Sequence, residues 1–107
     1  AKAMGGSCDI EIKKGYPFLV NDKSVTKRAE RSAQSYLGKK NVEKLPIRMT
    51  SEDFSFYSQQ IPACFFRLGT GNFEKGITSS VHTPTFDVDE SCLSISSGLM
   101  AYIAINQ

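Results

Sequence analysis

"PACFFRLGTGN", residues 62 to 72, is the stretch on which the fold turns. A continuous apolar run from Ala63 to Phe66, closed by glycines, is the signature of a strand buried in the middle of a sheet. Gly69 and Gly71 then end it, because the turn needs a positive φ that glycine reaches without steric cost. The same glycines lack a P-loop lysine and match no G-x-G-x-x-G, so they are not read as a phosphate cradle.

Working outward, the flanking segments alternate in type. "TSEDFSFYSQQ" before the run predicts a short helix from about Glu52 to Gln59, with Thr50 and Ser51 as candidate caps. Before it, "NVEKLPIRMT" is extended, since Pro46 excludes a helix interior. Further upstream, Val25, Ala29, Ala33, Tyr36 and Leu37 share one helical face. Asn21 or Asp22 caps that helix and Gly38 stops it. "SCDIEIKKGY" alternates Cys8, Ile10 and Ile12 against Asp9, Glu11 and Lys13, the period of a half-buried strand. "AKAMGG" reads as the last turn of a helix ending at Gly5 or Gly6, which suggests a chain cut from a longer one.

Downstream, residues 71 to 81 form a polar loop. Asp87 with Glu90 resembles a capping box. Leu93, Ile95, Leu99, Tyr102 and Ile103 continue as a mostly buried helix. Ser94, Ser96, Ser97, Gly98 and Ala101 let that helix lie close against a sheet. Strands interleaved with helices argue an α/β layered fold.

The 107 residues suffice for one compact domain, and 40% hydrophobic residues are too many for a disordered chain. A net charge of +2 makes no electrostatic case for nucleic acid. The basic residues from Lys23 to Lys44 read as a solvated face. No apolar stretch is long enough to span a bilayer. Cys8, Cys64 and Cys92 are odd in number and far apart, with no C-x-x-C pair, which suggests a reducing compartment and a cytoplasmic location.

By residue chemistry alone the candidate sites stay open. His82 is the only histidine. A lone loop histidine reads as a surface or hydrogen-bonded residue as readily as a metal ligand, and zinc needs three or four ligands. Glu52 and Asp53 read either as an acid/base pair or as partners of a helix dipole. No G-x-S-x-G elbow accompanies the serines of "SISS".

Four motifs go further. "GYPFLVND" at 15 to 22, "MTSEDFSFY" at 49 to 57, "FFRLGTGN" at 65 to 72 and "VHTPTFDVDE" at 81 to 90 stand together in order and spacing. They resemble the C-terminal part of the aminoacylase and carboxypeptidase-type di-zinc metallopeptidases. That family includes N-acyl-amino-acid amidohydrolases, hippurate hydrolases and auxin-conjugate hydrolases. Thr50 departs from the family pattern, which more often has glycine before S-E-D-F.

The resemblance implies an α/β C-terminal fragment of a layered zinc-exopeptidase-like catalytic domain, residues 15 to 107. Residues 1 to 14 would end a small α+β lid or dimerisation domain and carry its last strand. His82 maps onto a metal ligand. Glu52 and Asp53 map beside the active site, as substrate-facing groups or supports of the ligands. No catalytic residue maps onto this fragment, because the general base and the other ligands lie upstream.

Its cofactors would be two divalent metal ions, zinc first, with manganese or cobalt as alternatives. The reaction would be hydrolysis of the amide bond of an N-acyl amino acid or small peptide by a metal-acidified water. The full-length protein would be a homodimer through the lid, with no nucleic-acid or membrane partner. The fragment alone would be inactive. The rival reading is a non-catalytic binding or assembly module that keeps the fold remnant.

Overall fold

Asp22 shows how the best-defined element begins. In the computed structural model, which describes residues 1–106, its backbone is extended and its carboxylate accepts the N–H groups of Ser24 and Val25. That satisfies two of the donors that a helix start leaves without partners. Helix α1 then runs Lys23–Leu37 and buries Ala29 and Ser32 on one face. Gly38, at φ 86°, turns the chain out of the helix, a value that side chains with a Cβ rarely adopt. A single 3-10 turn, Lys39–Asn41, follows.

The expected helix over Glu52 to Gln59 is shorter, one turn at Ser55–Ser58 (α2). Neither Thr50 nor Ser51 caps it; the Glu52 carboxylate accepts the Phe54 N–H at 3.3 Å instead. Helix α3, Ser91–Ile105, lies against α1. The rings of Tyr36 and Tyr102 meet there with centroids 5.4 Å apart. Gly98 faces Tyr36 so closely that a Cβ would stand 2.9 Å from Tyr36 Cζ. The small residues of α3 therefore admit a helix, not the sheet that was expected. Only Cys92 and Leu99 of α3 are buried, while Leu93 and Ile95 are exposed.

The strands fare differently. Among the described residues the β-pairing is a single bridge, Asn72 with Ile77. The alternating stretch near the N-terminus forms no strand; Ile10 is 80% and Ile12 84% exposed. A strand exists only through its hydrogen-bonded neighbours, and among the described residues none pairs with this stretch. Residues 2 to 4 do form a 3-10 turn, which Gly5 ends at φ 72°.

The apolar run lies in no helix or strand and buries only Ala63, with Phe66 exposed. It is held by a side chain: Asn21 Nδ2 donates to the Phe65 carbonyl and Asn21 Oδ1 accepts the Phe65 N–H, both at 2.8 Å. The Asp22 N–H adds a bond to the Ala63 carbonyl at 2.8 Å. Asn21 thus stands in for a neighbouring strand. Neither Gly69 nor Gly71 has a positive φ. Gly71 is in a tight place for another reason, since a Cβ there would lie 3.2 Å from the Ile77 carbonyl oxygen.

Candidate functional site

The loop between the apolar run and α3 carries His82. It opens on a small turn: the Asn72 and Ile77 backbones exchange two hydrogen bonds of 2.8 Å across residues 73 to 76. Farther out, the Ser79 and Thr85 hydroxyls meet at 2.7 Å, and Thr83 Oγ1 donates to the Ser80 carbonyl at 2.8 Å. The Phe86 N–H reaches back to the Thr83 carbonyl, which turns the chain across Pro84. His82 sits at the tip with φ 64°, alone among the non-glycine residues described in having a positive φ. Histidine enters that region more readily than most residues, and such a conformation persists where surrounding bonds over-determine it.

The imidazole is exposed and engages no partner among the described residues. Phe86, four residues on, is also exposed. The loop is held from its base instead. Asp89 is buried, and its carboxylate accepts from Lys75 Nζ at 2.7 Å, Asn72 Nδ2 at 2.5 Å and the Ser91 N–H at 3.2 Å. The Lys75 ammonium first, then the Asn72 amide and the Ser91 N–H, hold the carboxyl well below the usual carboxylate range.

The expected capping box is thus replaced. Asp87 reaches only its own neighbour, the Val88 N–H, and Glu90 makes no side-chain cap. Asp89 takes that role through its carboxylate and its carbonyl, which accepts the Cys92 N–H at 2.9 Å. Sequence reasoning missed Asp89, Lys75 and Asn72, and read Asn21 only as a candidate helix cap, not as the partner of Phe65. Three acids crowd the start of α3, and no periodicity tells which of them turns inward.

Glu52 and Asp53 start α2. Besides the Glu52 carboxylate bond, their carbonyls accept the N–H groups of Ser55 and Phe56. Ser55 behind them is fully buried, and its hydroxyl finds no partner. Among the described residues no three His, Cys, Asp or Glu side chains form a group able to hold a metal ion. His82 fits as one nitrogen donor: exposed, unpartnered and held on a tied loop. A site of three or four ligands would have to take the rest from elsewhere.

The description of peptidase family M20/M25/M40 matches residues 4–106. The chain belongs to that family. Relatives agree. An Arabidopsis thaliana protein named IAA-amino acid hydrolase ILR1-like 4 is 36% identical over 94 residues, covering 88% of this chain and 21% of its own. A Synechocystis protein named as a probable hydrolase is 27% identical over 104 residues, covering 96% and 26%. A Staphylococcus epidermidis protein named as a hydrolase is 34% identical over 87 residues, covering 80% and 22%. The chain thus spans about a quarter or less of the length of these relatives. No solved structure matches it.

As an M20 chain it is a hydrolase-family sequence and fits a zinc-exopeptidase-like fold. Among the described residues no helix is long and apolar enough to cross a membrane.

Proposed function

We propose that this chain is the C-terminal part of a metal-dependent amidohydrolase that cleaves N-acyl amino acids or small peptides, and that His82 is one of its metal ligands. The observation that carries the reading is an exposed, unpartnered imidazole at the tip of a tied loop, inside a chain that the M20 family matches from residue 4 to 106. Plant relatives named for IAA-amino acid hydrolysis support an amino-acid conjugate as substrate.

The metal centre holds two divalent ions, zinc first, and completes its ligand set from residues outside this chain. When bound, the metal supplies an acidified water for attack on the amide carbonyl. Within this chain His82 contributes a neutral nitrogen, and Glu52 and Asp53 at the start of α2 border the substrate or support the ligands. Residues 1 to 14 end a lid domain that mediates dimerisation, and residues 15 to 107 belong to the catalytic domain. The unpaired cysteines suit the cytoplasm.

The test uses the full-length protein carrying this chain. His82→Ala is expected to lose bound metal. Its turnover of an IAA–amino acid conjugate should fall by more than the roughly 10–100-fold that losing a supporting partner costs. The 107-residue chain alone is expected to hydrolyse nothing. A His82→Ala protein with full metal content and turnover would remove the assignment.

A further inference from the structure

We propose that Asp89 is a positioning residue for His82: its buried carboxylate clamps together the two ends of the loop that carries the imidazole. The proposal rests on the reading of His82 as a metal ligand and adds what sets that ligand in place. On the incoming side of the loop, Asn72 Nδ2 and Lys75 Nζ donate to the Asp89 carboxylate. Next to them the Thr70 carbonyl accepts the Asp89 N–H at 2.8 Å. On the outgoing side the same carboxylate accepts the Ser91 N–H and so is continuous with α3, which packs on α1. One side chain therefore ties residues 70 to 75 to a packed helix.

The loop offers no other anchor of that kind. Residues 80 to 87 are all exposed, and their side-chain bonds run within the loop. These local bonds shape the tip, including the left-handed backbone at His82, but they do not say where the tip stands relative to the helices. That placement passes through the Asp89 contacts and the short Asn72–Ile77 bridge. Ligand placement is sensitive to shifts of about an ångström, so a loosened base weakens a ligand it never touches.

The experiment compares Asp89→Ala, Lys75→Met, Lys75→Arg and His82→Ala in the full-length protein. Hydrogen exchange is followed on peptides covering residues 73 to 88 and α1, and zinc affinity by competition with a chelator. Asp89→Ala is expected to speed exchange over 73 to 88, leave α1 protected, and weaken zinc binding roughly 10–100-fold. Lys75→Met should move both readouts in the same direction and add nothing on top of Asp89→Ala. Lys75→Arg, which keeps a charged donor, should restore them.

If Asp89→Ala does not fold, Lys75→Met carries the test, since the Lys75 side chain is 58% exposed. Unchanged loop exchange, or faster exchange with undiminished zinc affinity, would overturn the positioning role. Full zinc retention by His82→Ala would instead remove the ligand reading, and the positioning role with it. The two failures are thereby told apart.

Discussion

Asp22 and Asp89 start the two long helices with the same chemistry in different surroundings. Asp22 accepts the Ser24 hydroxyl at 2.6 Å and two backbone N–H groups; Asp89 accepts an ammonium, an amide and one N–H. Both carboxyls are held below their ordinary value of 3.8, Asp22 chiefly by the Ser24 hydroxyl and Asp89 chiefly by Lys75. A lowered folded pKa means that the unfolded chain binds the proton more readily. The stabilisation is therefore fully present above the ordinary value and is lost as pH falls through the lowered one. Stability to urea should be flat in this contribution at neutral pH and decline below about pH 4. Asp22→Asn and Asp89→Asn should each show a shallower acid slope, read from urea midpoints across pH. An unchanged slope in both variants would place the acid sensitivity elsewhere.

At the scale of elements, the contact between α1 and α3 depends on one missing side chain. Gly98 sits inside a helix, where glycine costs about 1 kcal/mol relative to alanine. The proximity of Tyr36 explains why alanine is nonetheless unsuited there. Gly98→Ala should push the Tyr36 ring away and sever its pairing with Tyr102, a contact of about 0.5–1.5 kcal/mol. In a Tyr36→Ala background the same substitution meets no obstruction and should stabilise by about 1 kcal/mol. Chemical denaturation of the four proteins in this cycle gives the coupling. Independent, additive effects would mean that the two helices do not meet at Gly98.

The whole molecule is elongated, with a radius of gyration of 19.8 Å and extents of 66 × 37 × 20 Å. A compact domain of about 100 residues has a radius near 13 Å. Ile47 and Met49 are 95% and 97% exposed, and Phe73 is nearly as bare. Apolar residues left open in this way favour association. Produced by itself, the chain should self-associate, measurable by sedimentation velocity across concentration. A compact monomer of 11.8 kDa at all concentrations would contradict this.

Sequence alone determined the features that depend on near neighbours in the chain. Asp22, the apolar face of α1 and Gly38 specify a helix whose start, face and stop lie within seventeen residues; the structure reproduces the start and the stop, and of the face it buries Ala29 and sets Tyr36 against Tyr102. The motif containing His82 was legible in the same way, because residue order carries it. Tertiary structure alone decided what depends on distant partners. The alternating stretch through Ile10 and Ile12 has the period of a strand but no neighbour to bond, and the run through Phe65 is held by the Asn21 side chain in place of a strand. Likewise, which acid before α3 turns inward was settled by Lys75 and Asn72, fourteen and seventeen residues away. The reason is physical: a helix satisfies its backbone within itself, whereas a strand or a buried carboxylate is completed only by groups that the rest of the fold brings to it.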